Sequence, residues 1–139
     1  MSTRSATSLL LLLATSLLLL AGAAIVLVGG VGGSGFALLD RDAESADALP
    51  ADLAGDAYDS VDTASARWVA EHDGDQLYLA RGTEVGTVCL LVHREDWVVG
   101  CGGPQLGVSN ATRTYYVQPD ADPDPVTGTK VTENVFVKG

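Results

Sequence analysis

"GTVCLLVHREDWVVGC", residues 86–101, contains both cysteines of this 139-residue chain, each in a short apolar run. If residues 94–96 form a three-residue hairpin loop, Cys89 lies directly opposite Cys101 on the next strand, and a five-residue loop keeps that register. A two- or four-residue loop would pair Cys89 with Gly100 and direct the two sulfur atoms to opposite faces of the sheet. The odd-length loops therefore predict a disulfide across a hairpin.

Other chemistry at the two cysteines fits the sequence less well. A structural zinc site needs four ligands in closely spaced pairs, which Cys89, Cys101 and His93 do not supply. A redox pair usually has C-x-x-C spacing, and a catalytic thiol needs an adjacent base, whereas His93 lies about 13 Å along the strand from Cys89. We expect a structural disulfide worth about 3 kcal/mol, with two free buried thiols as the alternative.

A long uncharged segment precedes the cysteines. Residues 9–28 contain no charged side chain, and the apolar, glycine-rich run continues beyond them. About 20 apolar residues span a bilayer, so the sequence predicts one N-terminal transmembrane helix, or signal anchor, over residues 9–33. Alternatively, residues 21–23 (Ala-Gly-Ala) form the cleavage site of a signal peptide, which would leave a secreted protein.

The positive charges set the expected topology. Arg4 and the terminal amine precede the segment, and no basic residue lies between Arg41 and Arg67 on its other side. We expect residues 1–8 to be cytoplasmic and the chain after the anchor to be extracytoplasmic, as in a single-pass cell-membrane protein. Disulfides persist in that oxidising setting.

The chain beyond the anchor is strongly acidic. All 18 Asp and Glu residues follow position 39, against seven of the eight Lys and Arg residues, a net charge of about −11. Nucleic-acid binding requires the opposite sign, so we exclude nucleic acid as a partner. The predicted partners are the membrane, which the N-terminal helix would cross, and an envelope protein of unknown identity.

Two segments follow the anchor. Residues 34–64 are rich in Ala and Asp and read as an acidic linker, because they offer little apolar surface to bury. Residues 65–139 read as a β-rich extracytoplasmic domain that begins with a hairpin turning at Asp73-Gly74. The alternative at its start is a helix at about 62–71, which would give an α+β fold.

The remaining runs predict a mainly β fold. The proline-rich loop of residues 118–128 cannot sit in a central ladder. Six or seven strands in about 75 residues indicate a small antiparallel sheet, sandwich or partial barrel. Besides the hairpins named above, the predicted strands are Leu106–Val108, Thr114–Val117 and Asn134–Lys138.

Few residues point to chemistry. Asp120, Asp122 and Asp124 resemble the start of a calcium loop, but Pro125 and Val131 stand where Gly and Glu are required, so they are weak metal candidates. We expect no catalytic residue, resident metal or cofactor. The histidines and aromatic residues are weaker candidates for a ligand site or binding groove, and a small core uses such aromatics first. They are His72, His93, Trp68, Trp97, Tyr78, Tyr115 and Tyr116.

Four stretches taken together, "YLARGTEVGTVCLLV", "DWVVGCGG", "YYVQPDADP" and "TENVFV", resemble a group of small, uncharacterised actinobacterial membrane-anchored or exported proteins. The group shares a Gly-x-Val-Cys-Leu-Val run, a Trp-Val-x-x-Cys segment and a closing Asn-Val-Phe/Tyr-Val strand. The resemblance covers about residues 66–137 and implies a small exported β-domain on a membrane anchor. It implies no activity. The matching positions are Gly82, Thr83, Gly86, Val88, Cys89, Leu90, Trp97, Cys101, Asn134, Val135, Phe136 and Val137.

These observations predict a single-pass cell-envelope protein whose small extracytoplasmic domain is a non-catalytic binding or structural module. The alternative is an accessory subunit of a membrane protein complex. A calcium-binding domain or a carboxylate-based enzyme, using groups such as Glu95 and Asp96 or the aspartates of the 120–124 segment, is the third hypothesis.

Overall fold

A computed structural model describes residues 35–53, 58–120, 122 and 128–139. Within those ranges no helix is long and apolar enough to cross a membrane. The predicted cytoplasmic segment 1–8 and the predicted anchor 9–33 lie outside the described residues. The described chain is mainly β, with two small antiparallel sheets and almost no helix.

The first sheet contains four consecutive strands, paired in chain order. The turn between its first two strands is Asp73-Gly74, with φ of +49° and +85°. Positive φ at both central residues is the two-residue hairpin geometry that Asp-Gly favours. The strands are β1 (Val61–His72), β2 (Asp75–Gly82), β3 (Val88–His93) and β4 (Trp97–Gly102).

The helix considered for residues 62–71 is wrong, because these residues belong to β1. Trp68 pairs with Tyr78 and Glu71 with Gln76 across the hairpin. The register of β1 shifts between Asp62 and Arg67. That irregularity explains why the sequence of this strand alternates poorly and can be read with a helical period.

The β3–β4 hairpin has the register expected from a three-residue loop. His93 pairs with Trp97 and Cys89 with Cys101, and the two cysteines form a disulfide with their Cα atoms 4.0 Å apart. The predicted disulfide is confirmed, and with it the odd-length loop at residues 94–96.

The second sheet contains four short strands in the order β5-β6-β8-β7. The strand predicted at Thr114–Val117 is confirmed, the two predicted at Leu106–Val108 and Asn134–Lys138 each begin one residue later, and a two-residue strand was missed. In the described ranges the strand count is therefore eight, not six or seven. The strands are β5 (Gly107–Ser109), β6 (Thr114–Val117), β7 (Thr129–Lys130) and β8 (Val135–Lys138).

The two sheets share one apolar core. One face of the first sheet contributes Leu77, Leu79 and Leu90, and the second sheet contributes Tyr115 and Val135, all of them fully buried. The two sheets pack closely at Gly100 in β4. A Cβ at this position would lie 2.7 Å from Val108 Cγ2, so the absence of a side chain lets β5 pack there.

The described part of the predicted linker is packed against this body. A short helix, α1 (Ala37–Asp40), places Phe36 and Leu39 in the common core, each 2 % exposed. A 3-10 turn at Ser45–Asp47 buries its aspartate. Residues that precede the boundary expected at residue 65 are therefore packed on the sheets. Phe36 and Leu39 supply the apolar contacts, which the Ala/Asp-rich composition of the segment does not reveal.

Candidate functional site

Four aromatic side chains lie on the face of the first sheet that points away from the common core. Trp68 and Tyr78 meet edge-to-face with ring centroids 5.2 Å apart, and Tyr78 lies 6.1 Å from Trp97. The His93 ring stacks on Trp97 at 4.3 Å. We call this set, Trp68, Tyr78, His93 and Trp97, the aromatic face. Strand alternation and the hairpin register bring these residues together from four strands.

The aromatic face is partly covered. Leu49, Leu53 and Tyr58 pack against the apolar cluster that includes it. His93 Nε2 lies 3.1 Å from a carboxylate oxygen of Asp52, and its Nδ1 lies 3.3 Å from Gln76 Oε1. The covering segment is therefore held both by apolar packing and by a polar contact to the histidine.

The two tryptophans remain half-buried, whereas Tyr78 is buried, and burial raises the pKa of its hydroxyl. Within the described ranges the Nε1 of Trp97 is buried and has no hydrogen-bond partner. An unpaired buried N–H costs about 1–3 kcal/mol. The N–H itself is buried, and it is the accessible parts of the two indoles that make the aromatic face the candidate binding surface of the described chain.

The disulfide lies on the same face. Cys89 is fully buried and Cys101 is partly exposed, and both pack in the apolar cluster of the aromatic face. The hydroxyl of Ser60 lies 3.5 Å from Cys101 Sγ. The bond ties β3 to β4 at the end of the sheet away from the His93–Trp97 pair.

Asp75 forms the most buried polar site, at the first position of β2. It is fully buried, and its Oδ1 accepts a 2.7 Å hydrogen bond from Arg94 Nε. Its Oδ2 accepts from the Tyr115 hydroxyl at 2.6 Å and from Asn110 Nδ2 at 3.0 Å. Arg113 Nε lies 3.8 Å from the same oxygen.

The charge state of this Asp75 cluster follows from its contacts. Burial acts to raise the pKa of Asp75, but the hydrogen bonds from Tyr115, Arg94 and Asn110 outweigh it, so the pKa lies below its ordinary value. Burial and the neighbouring carboxylate raise the pKa of Tyr115. Asp75 is thus an ionised structural acceptor that joins the second sheet to the β3–β4 loop.

A second buried carboxylate fixes the N-terminal segment. Asp47 receives two 2.7 Å hydrogen bonds from the Arg41 guanidinium and accepts from the backbone N–H groups of Glu44 and Trp68 at 2.8 and 2.7 Å. The bond from Arg41 is the largest cause that lowers the pKa of Asp47. Buried Arg67 donates to the Arg41 carbonyl and completes the connection.

The metal candidates do not converge on a metal site in the described chain. Asp120 accepts from Ala37 N at 2.6 Å and from Asn134 Nδ2 at 2.7 Å, one bond to each carboxylate oxygen. Asp122 accepts from Gln105 at 2.9 Å, and Asp124 lies outside the described residues. In the described ranges no three His, Cys, Asp or Glu residues are placed to hold a metal ion.

The other candidates are dispersed. The His72 ring contacts Tyr115 edge-to-face at 6.1 Å, and its Nε2 lies 3.6 Å from Asp73. Tyr115 is in the core and Tyr116 is half-buried on the second sheet, so neither joins the aromatic face. Glu95 and Asp96 are exposed in the β3–β4 loop.

Comparison of the chain with protein-family models, with curated proteins and with solved structures gives no match. The resemblance to the small actinobacterial group stays a prediction.

Sequence reasoning missed both buried carboxylate clusters. Asp75 could have been noticed, since a charged residue directly follows the Asp-Gly turn at the start of an apolar strand. Its partners, however, come from loops whose approach depends on how the second sheet packs. Asp47 has no comparable signal, because it is one of many aspartates in an acidic segment.

Proposed function

We propose that this chain is a single-pass cell-envelope protein, anchored by residues 9–33. Its extracytoplasmic two-sheet part, residues 35–139, which we call the β-unit, is a non-catalytic binding or structural module. The length of the uncharged segment supports the anchor, and the positive charge before that segment supports the outward orientation of the chain after it. The shared core of the two sheets favours a sandwich over a partial barrel for this unit.

The observation that carries the proposal is the disulfide between Cys89 and Cys101. Disulfides form and persist in extracytoplasmic compartments and are rare in the cytosol. A unit of about 100 residues has a limited core, so a covalent tie between neighbouring strands is useful to it. The disulfide supports an extracytoplasmic location, as the N-terminal segment does, and the two arguments rest on different residues.

The buried ionisable groups support a non-catalytic role. Asp47 and Asp75 each have several hydrogen-bond donors, and the pKa of each lies below its ordinary value. A general acid or base working near neutrality needs a carboxyl pKa that is raised. Asp47 and Asp75 are therefore suited to holding the fold together and not to proton transfer. The aromatic face is the surface that we propose for binding a partner.

A topology measurement tests the proposal. A reporter enzyme that is active only after export, fused after Gly139, is expected to be active, and a fluorescent protein that folds only in the cytoplasm is expected to stay dark at the same position. A chain lacking residues 9–33 serves as the control and should reverse both signals. A dark export reporter on the full chain contradicts the proposal.

The half-buried tryptophans favour one second candidate, an accessory subunit of a membrane complex. Trp68 and Trp97 are half-buried, so part of each indole is accessible at the surface, and tryptophan is enriched where proteins bind one another. Co-purification of a stable partner with the full chain, lost in Trp97→Ala but kept in Trp97→Phe with weaker binding, is the expected result. A partner held equally by all three chains contradicts this candidate.

A further inference from the structure

The chain is fixed to the β-unit from the first residue that the structure describes. The carbonyl of Gly35 accepts a 2.9 Å hydrogen bond from Asp120 N, and Ala37 N donates to the Asp120 carboxylate. Phe36 and Leu39 follow in the core, each 2 % exposed. No free linker therefore separates Gly35 from the body of the unit.

This attachment limits how far the unit can move from the membrane. The expected anchor ends at residue 33, two residues before Gly35, and two extended residues reach about 7 Å at most. We propose that the end of the β-unit around Gly35 and Val85 rests on the lipid headgroup surface of the anchoring membrane. The inference deepens the proposed function and depends on its membrane anchor.

The end of the unit that holds Gly35 can be defined by the strand register. Val61 pairs with Gly82, and Val88 pairs with Gly102, so the loop at residues 83–87 lies at one end of the first sheet. The loop at residues 94–96 lies at the other end. Five residue steps along β3 separate the two ends by about 17 Å.

An open groove of about 520 Å³ joins α1 to the 83–87 loop. Its lining includes Phe36 and Leu39 from the docked segment, Val85 from the loop and Pro104 after β4. Among the described residues, Val85 is the large hydrophobic residue that is fully exposed. This end of the unit therefore combines the attachment point with apolar surface.

Three carboxylates at this end have hydrogen-bond partners, but only one of the three is paired with a positive charge. Asp40 bonds Arg81 at 2.8 Å, whereas Asp120 and Asp122 bond the neutral amides of Asn134 and Gln105. Exposed Glu84 adjoins Val85 in the loop. A surface of this kind is compatible with zwitterionic headgroups. The unit as a whole is acidic, so a strongly anionic bilayer should weaken the contact. A single exposed valine cannot hold a protein on a bilayer. The anchor holds the chain in the membrane, and the short attachment at Gly35 sets the orientation of the β-unit.

Photocrosslinking in vesicles tests the inference. The full chain is reconstituted into phosphatidylcholine vesicles with p-benzoylphenylalanine in place of Val85, and, as a matched control at the opposite end, in place of exposed Glu95. We expect severalfold more lipid adduct from position 85 than from position 95. Inserting about 15 Gly/Ser residues between positions 34 and 35 adds about 20 Å of reach and should reduce the adduct at position 85 toward the control level.

The outcomes separate the two claims. A chain that does not float with the vesicles overturns the proposed anchor. A chain that floats but gives equal lipid adduct at positions 85 and 95 overturns only the orientation inferred here, as does a position-85 adduct that contains protein instead of lipid. Loss of the preference in vesicles rich in anionic lipid supports the charge argument.

Discussion

Among single residues, Asp75 is the most deeply buried polar group of the described chain. Its two oxygens join β2 to the β3–β4 loop through Arg94 and to the second sheet through Tyr115 and Asn110. Because Asp75 is fully buried, its charge is stabilised by these partners and by Arg113, whose Nε lies 3.8 Å away, and not by water.

We expect Asp75→Asn to lower the free energy of unfolding by about 3 kcal/mol, because it removes the charge that two arginines face. Asp73→Asn is the matched control: it changes a carboxylate two positions away that is 68 % exposed, and asparagine tolerates the positive φ there. This control should stay within about 0.5 kcal/mol of the wild type. Urea unfolding of the full chain in detergent measures both, and equal losses would contradict the role assigned to Asp75.

The two buried carboxylates also predict how stability depends on pH. The pKa values of Asp47 and Asp75 lie below the ordinary value of 3.8 in the folded state, so their contribution is complete above that value. It is lost as the pH falls through the folded-state values, because the unfolded chain then binds more protons. The urea midpoint should fall on acidification below about pH 4, and less steeply in Asp75→Asn. A midpoint that rises in acid would refute this.

At the scale of elements, the hairpins could be predicted and the docked N-terminal segment could not. Asp73-Gly74 specifies a two-residue turn, and side-chain parity places Cys89 opposite Cys101 once the loop length is odd. Phe36 and Leu39 lie in an Ala/Asp-rich segment, where composition argues for a linker. The strand at Thr129–Lys130 is too short for any periodicity, and the register shift in β1 hides its alternation.

The packing of β4 on β5 depends on a missing side chain. We expect Gly100→Ala to destabilise the fold by about 1–3 kcal/mol, because its Cβ would lie 2.7 Å from Val108 Cγ2 in a packed core. Gly103→Ala is the control, since a Cβ there meets nothing within 4 Å. Thermal unfolding of both variants measures the difference. A Gly100→Ala chain as stable as the control would show that the sheets are not in close contact at this point.

At the scale of the whole molecule, the aromatic face could be predicted only in part. Trp68, Tyr78 and Trp97 were candidates for a groove along with Tyr115 and Tyr116, and the sheet register separates the first three from the last two. The position of the covering segment depends on tertiary packing, which local sequence does not encode. The same holds for the burial of the Trp97 N–H without a partner among the described residues. The proposed location of the β-unit rests on the disulfide and on the N-terminal sequence, and not on the aromatic face.

We propose that the β-unit lies on the extracytoplasmic side of the membrane, where Cys89 and Cys101 are joined. Cells that make the full chain are quenched in acid, and the protein is denatured, alkylated and weighed intact, with and without prior reduction. The account predicts no alkyl group on the unreduced protein and one on each of the two cysteines after reduction. Alkylation of both cysteines without reduction would contradict it.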